Sequence, residues 1–390
     1  MKYNFDEIID RSNTNSIKYD FANRRGKPDG ILPMWVADMD FRTPPCVIEA
    51  LVDNSKHGIF GYSESGHDYF ETLQAWFQCY FDWEVRPQWL IKTPGVVHAI
   101  CSAIRALTNQ GDAVIVQQPV YYPFSESVLG NRRKLIVNQL VYRESKYSID
   151  FEDFETKIIK NDVKMFILCS PHNPVGRVWT KDELIRLGDI CYRHGVIVIS
   201  DEIHADFIYP GNKHFVFADL KPEFSDITVT CTAPSKTFNL AGLQISNIFV
   251  SNRSIRQKIK REISNSGYSQ LSIMGITACK AAYDKGHEWL DALNIYLNGN
   301  LDVLRDFTRQ NLPQIKLVEP EGTYLMWLDF KSLRLSDEQL DELIVQKAGL
   351  WLDAGVMFGK GGKGFQRINI ACPKSILQKA LLQLDQAING

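Results

Sequence analysis

Nowhere in the sequence does an apolar run approach the roughly 18 residues that a membrane-spanning helix requires. The first residues, MKYNFDEIIDRSNTNS, carry neither the apolar stretch nor the small-residue cleavage site of a secretory signal. The expected location is the cytoplasm. Neither sign of charge prevails: 44 Lys and Arg face 46 Asp and Glu, a net charge of −2. The broad positive field behind non-specific nucleic-acid binding is therefore missing, and neither nucleic acid nor a membrane is expected as a partner. Cysteine is scattered: eight residues, at 46, 79, 101, 169, 191, 231, 279 and 372, contain no C-x-x-C pair. That pattern argues against a zinc site and against a disulfide framework. The chain also lacks internal repeats, low-complexity tracts, charge blocks and any Pro/Gly/Ser-rich linker, so a second domain has to be assembled from discontinuous ends.

What remains is an ordinary globular balance over 390 residues, 45% hydrophobic and 23% charged, enough to bury a sizeable core. From about residue 90 to 250, short β-branched runs alternate with helix-period segments. That is the pattern of an α/β fold with a mostly parallel sheet covered on both faces. AVIVQQ, KMFILCS, GVIVISDE, ITVTCT and ISNIFVS are the expected strands. Val96, Ile100, Ala103, Ile104 and Leu107 form one apolar helix face with Gly111 as its stop. Thr180 and Glu183 form a capping box, with Gly195 closing that helix. After about residue 286 the texture changes to a long amphipathic stretch from His287 to Asn311, the alternating strand TYLMWLDF, another helix and the Gly-rich turn GKGGKGFQRINIA. The expected division is a large domain over 46–285 and a smaller one built from 1–45 and 286–390.

In open α/β sheets, ligands gather beyond the carboxyl ends of the strands. Tyr121 follows AVIVQQ, Asn173 follows KMFILCS, Asp201 ends VIVIS, and Lys236 follows ITVTCT. TPGVV adds a glycine before a helix, whose free N–H groups suit an anion. Singly, each is an ordinary loop or cap residue. Together they supply an anion cradle, an aromatic plate, a carboxylate and an amine, the set that pyridoxal 5′-phosphate requires. Lys offers the amine for a Schiff base. The carboxylate keeps a proton on the pyridine nitrogen, and the aromatic ring stacks on its face.

The ordered motifs TPGVVHA, PVYYPF, NPVGRVWT, SDEIH, SKTFNLAGLQ and RINIACP resemble those of the fold-type I pyridoxal-phosphate enzymes of the class I/II aminotransferase-like family. LPMWVADMDF, GYS, PHNPVGRVW and the His of DEIH are similar to its cystathionine β-lyase branch. The resemblance runs from about residue 30 to 375 and implies a large domain with a seven-stranded, mostly parallel sheet beside a smaller α+β domain. It implies that Lys236 is the Schiff-base lysine, Asp201 the partner of the pyridine nitrogen, Asn173 a donor to the ring hydroxyl and Tyr121 the stacking ring. Tyr122 would take that last role after a one-residue shift of the loop. Arg367 would bind the substrate carboxylate, a match for the forked guanidinium. Ser235 and the N–H groups of Val96 and Val97 would hold the phosphate. Tyr62 would reach the site of a neighbouring subunit, which implies a homodimer with shared active sites. His204 replaces a common Tyr, and Gln244 stands where many relatives have a phosphate-binding Arg; Ser235, Tyr62 and Thr232 are the candidates that compensate.

The implied reaction is α,β-elimination from a sulfur amino acid such as cystathionine or cysteine, with Lys236 as base and Tyr121 or Tyr62 assisting proton transfer. An aminotransferase is the alternative within enzymes. A regulatory role through binding a transcription factor is the alternative outside them. The scattered histidines give no metal-ligand spacing. Trp35 and Asp38 either line the mouth of the site or pack, and GKGGKG is expected as a mobile turn over it rather than a phosphate loop.

Overall fold

The structure, a computed structural model, describes residues 3–390. Seven strands form its main sheet: β1 (Leu90–Thr93), β2 (Ala113–Gln118), β3 (Lys134–Gln139), β4 (Val163–Cys169), β5 (Ile197–Asp201), β6 (Thr228–Thr232) and β7 (Ser246–Phe249). Their spatial order is β1-β7-β6-β5-β4-β2-β3. β2 to β6 pair in parallel, and β7 runs antiparallel to both of its neighbours. Strand β4 shows why the parallel part reads as continuous apolar runs: every residue except Lys164 is buried, because helices cover both faces. Each such Val, Ile, Leu or Phe contributes about 1.5–3 kcal/mol of burial.

The helices begin and end where their sequences say. α1 (Val96–Leu107) follows Gly95 with no side-chain cap, which leaves the first-turn N–H groups free. It stops at Thr108, earlier than the expected Gly111: the backbone there turns extended (φ −135°, ψ 162°), and the Thr108 hydroxyl donates back to the Ile104 carbonyl at 2.5 Å. α2 (Tyr122–Gly130) is followed by α3 (Lys181–Arg193), which carries the full Thr180/Glu183 capping box. On α3, Gly188 allows close packing: a Cβ there would sit 2.4 Å from the Phe224 ring. α4 (Pro234–Thr237) is one turn long, and α5 (His287–Asn311) spans 25 residues.

A second, antiparallel sheet orders β8 (Lys316–Val318), β9 (Leu325–Asp329), β11 (Phe365–Asn369) and β10 (Asp353–Ala354) side by side. Its register sets Arg367 opposite Trp327 on one side and Asp353 on the other. The Gly-rich turn is not loose. Phe358 accepts a hydrogen bond from Val120 N–H, and a Cβ on Gly359 would meet the Gln118 amide at 2.2 Å, so the loop is packed onto the end of β2.

Candidate active site

Along the sheet, the chain leaves β2 outward to β3 and then turns back through β4, β5 and β6, which creates a switch point between β2 and β4. At that point a cavity of about 410 Å³ opens. Its wall takes Tyr121 from after β2, Cys169 and Asn173 from β4 and its following turn, Asp201 from β5, and Ser235 and Lys236 from α4. The N-terminus of α1 contributes Gly95, Val96, Val97 and His98, and His204, Gln244 and Ala37 complete the wall. Eight of the ten residues expected at the site therefore line one cavity, and Arg367 stands beside it, donating to Asn173 Oδ1 at 3.0 Å. Tyr62 lies elsewhere, 96% exposed in the segment before the helix His67–Phe81.

Lys236 donates to the Ala37 carbonyl oxygen at 2.8 Å. Burial lowers its pKa to about 8, with the Arg367 charge acting in the same direction and Asp38 and Asp201 opposing. Asp201 accepts one backbone N–H, from Ile203 at 3.2 Å. Burial raises its pKa to about 7, so its proton affinity is matched to sharing a proton with a ring nitrogen. His204 is buried and its pKa falls to about 3, first through burial and then through the Lys236 and Arg367 charges; it is neutral at physiological pH. Burial also raises the Tyr121 hydroxyl well above its ordinary value, keeping it protonated. Tyr122 does not face the cavity; its ring packs edge-on against Phe358.

Arg367 is buried and held on three sides. Nη1 donates to Asn173 Oδ1 at 3.0 Å, Nη2 to the Trp35 carbonyl at 2.9 Å, and Nη2 also pairs with Asp353. Its Nε has no partner, nor does His204 Nδ1 or His98 Nδ1. Such orphaned buried groups are rare and costly unless a ligand meets them. The Asn173 carbonyl is committed to Arg367, which leaves its amide N–H₂ for a second partner. These residues fit pyridoxal 5′-phosphate: free N–H groups at α1 and the Ser235 hydroxyl for an anion, an amine, a carboxyl near neutral pKa, and an aromatic plate.

One expected phosphate donor is not there. The Thr232 hydroxyl donates to the Asn247 carbonyl at 2.7 Å, because β6 pairs with β7 at this position, and it does not line the cavity. Gln244 does line it, in left-handed backbone conformation with φ 52°. Three participants carried no signal in the sequence. Ala37 acts only through its backbone carbonyl, which also accepts the Tyr324 hydroxyl at 3.1 Å. Asp353 reaches Arg367 through strand register, and Cys169 lines the floor. Trp35 is packed, stacked on Trp351 with centroids 4.4 Å apart, and Asp38 is held by Arg11 at 2.7 Å.

Comparison with known proteins agrees with this geometry. The model of the aminotransferase class I and II family matches residues 31–384. Cystathionine beta-lyase PatB of Bacillus subtilis is 43% identical over 386 residues, covering 99% of this chain and all of that protein. Among solved structures, a pyridoxal-phosphate-bound putative aminotransferase from Clostridium difficile superposes with a TM-score of 0.97 at 44% identity, covering 99% of this chain and 100% of the other. Cystalysin from Treponema denticola, which contains pyridoxal 5′-phosphate, superposes with a TM-score of 0.96 at 38% identity, covering 100% and 99%. The seven-stranded sheet with its smaller antiparallel companion is the fold-type I architecture, and the chain belongs to the aminotransferase class I and II family.

Proposed function

We propose that this protein is a pyridoxal-phosphate-dependent carbon-sulfur β-lyase that converts cystathionine- or cysteine-type substrates to a thiol or sulfide, pyruvate and ammonia. The observation that carries the reading is the Lys236 amine, lowered to a pKa of about 8 and facing one cavity with Asp201, Asn173 and Tyr121. The full-length similarity to a cystathionine beta-lyase supports it.

Bound pyridoxal phosphate supplies an electron sink for charge left at the substrate Cα. Lys236 would hold it covalently through its amine. The Val96 and Val97 N–H groups and Ser235 would hold its phosphate, Asp201 its ring nitrogen, Asn173 its ring hydroxyl and Tyr121 its ring face. His204, neutral, lies on the same wall. Arg367 forks onto the substrate α-carboxylate through its unpartnered Nε and an Nη, with Asp353 and Asn173 fixing the guanidinium plane. The Lys236 amine, with its pKa lowered to about 8, would be unprotonated often enough near neutral pH to take a proton from the substrate Cα. Protonated Tyr121 is the donor assigned to the leaving sulfur, with Tyr62 of a second copy as its helper.

The assembly belonging to this reading is a homodimer with shared sites. Tyr62 at 96% exposure, beside Ile59 at 72% and Phe60 at 59%, is an apolar segment suited to burial against a second chain. The domain division belonging to it is 46–285 against 1–45 with 286–390. Among the described residues no helix is long and apolar enough to cross a membrane. All eight cysteines are free, which supports a reducing, cytoplasmic setting.

Pyruvate release from cystathionine with no keto-acid acceptor tests the function. Turnover without acceptor is expected; strict dependence on an acceptor would establish an aminotransferase instead.

A further inference from the structure

One carboxylate outside the cavity is tied to the helix that carries Lys236. Asp206 stands five residues after Asp201 and two after His204, on the loop that leaves β5. Two turns in succession fix it relative to them: Ala205 N–H donates to the Glu202 carbonyl and Phe207 N–H to the His204 carbonyl, each at 3.0 Å. Its carboxylate takes two donors, one on each oxygen. The Thr237 hydroxyl donates to Oδ2, and Trp76 Nε1, from the helix His67–Phe81, donates to Oδ1 at 3.2 Å. The Asp206 backbone carbonyl accepts from Asn294 Nδ2 of α5, also at 3.2 Å. Desolvation raises the Asp206 pKa to about 6, against the pull of its two hydrogen bonds. Near neutral pH the group is therefore ionised and purely an acceptor, the state that two donors require.

Thr237 is the residue next to Lys236, and α4, which holds both, is a single turn. So short a helix has little stability of its own, and its N-cap, Ala233, offers no side-chain cap. Its placement therefore depends on contacts with the rest of the fold. Thr237 is fully buried and, apart from Lys236, is the only side chain of α4 with a hydrogen-bond partner among the described residues. Asp206 thus joins the loop that carries Asp201 to the turn that carries Lys236. In pyridoxal 5′-phosphate the carbon that takes the lysine lies across the ring from the nitrogen, so the span between these two residues has to match the ring. We propose that Asp206 is a positioning residue, setting the span between Lys236 and Asp201 through its bond to the Thr237 hydroxyl. The proposal rests on Lys236 as the cofactor lysine and is independent of what the loaded protein does to its substrate.

The test reads the bound cofactor rather than turnover. In the cofactor-loaded protein, the ratio of visible circular dichroism to absorbance reports how firmly the ring is oriented; titration with pyridoxal 5′-phosphate reports affinity. Thr237→Val replaces the hydroxyl by a methyl group. It is expected to lower the ratio and to weaken cofactor binding about tenfold, the order for a lost hydrogen bond to a charged group. Asp206→Asn is expected to do the same, and the double variant no more than Asp206→Asn alone, since both act through one bond. Thr237→Ser keeps the hydroxyl and is expected to restore both readouts. Gly188→Ala, which strains the packing of α3 away from the site, is expected to leave both unchanged. If Thr237→Val and Asp206→Asn lower only the urea midpoint, or if Gly188→Ala loses the signal as well, Asp206 has a packing role alone and the proposal is overturned. Should Asp206→Asn fail to fold, Thr237→Val against Thr237→Ser decides. A wild-type protein without a visible band would overturn the cofactor reading itself, whereas a wild-type band that survives both substitutions overturns the positioning alone.

Discussion

Lys236 and Ala37 meet across 2.8 Å, amine to carbonyl, joining a one-turn helix at the end of β6 to a segment 199 residues earlier in the chain. The same carbonyl takes the Tyr324 hydroxyl at 3.1 Å, so the lysine is aimed by backbone that the second sheet holds in place. Asn369 secures that backbone further, donating to the Val36 and Asp38 carbonyls at 2.6 Å each. The Lys236 amine is thus positioned by the fold itself, the preorganisation that the proposed reaction calls for.

The raised Asp201 carboxyl makes stability depend on pH in a definite direction. Its pKa is about 7 in the folded chain against an ordinary 3.8, so between those values the folded protein holds a proton that the unfolded chain has lost. Its contribution is fully present below pH 3.8 and is lost as pH rises to about 7. Asp201→Asn is expected to stabilise the cofactor-free protein above pH 7, with the advantage vanishing near pH 4. Urea midpoints across that range measure it; a constant advantage at all pH values would count against the assignment.

Arg367→Lys keeps the charge and loses the fork. The charged hydrogen bond that disappears is worth about 1.5–3 kcal/mol, so KM for the amino-acid substrate is expected to rise about tenfold to a hundredfold. The cofactor absorbance is expected to persist. Loss of the absorbance together with activity would instead assign Arg367 to the cofactor.

If Tyr62 serves the neighbouring subunit, two inactive variants repair one another. Mixing Tyr62→Ala with Lys236→Ala after dissociation and reassembly produces mixed dimers with one intact site each, and about a quarter of wild-type activity is expected. No recovery, with dimers confirmed by ultracentrifugation, would confine each site to its own chain.

Packing supplies a prediction independent of the chemistry. Gly188→Ala drives a methyl group to 2.4 Å from the Phe224 ring between α3 and the segment before β6. Overpacking of this kind costs about 1–3 kcal/mol, read as a lowered urea midpoint with an unchanged slope.

Much of this molecule was legible in the chain because its signals are local. Five of the seven main strands announce themselves as apolar runs, and the Thr180/Glu183 cap and the helix His287–Asn311 stand where the pattern places them. Edge strands were harder. β1 and β3 alternate exposed or half-buried residues with buried ones over four and six residues, too short and too polar to separate from loop. At the site, Lys236, Asp201, Asn173 and Tyr121 were readable because each follows a strand. Asp353 was not, since it acts through the pairing of β10, a two-residue strand without any periodicity, with β11. Ala37 contributes a carbonyl that every residue type possesses. Thr232 misled for the converse reason: a hydroxyl beside the lysine motif is turned away by sheet register towards Asn247.

The most direct test reduces the cofactor-loaded protein with borohydride and maps the label by peptide mass spectrometry. The pyridoxyl group is expected on Lys236 and nowhere else; a label on another lysine, or a protein that takes up none, would contradict the central assignment.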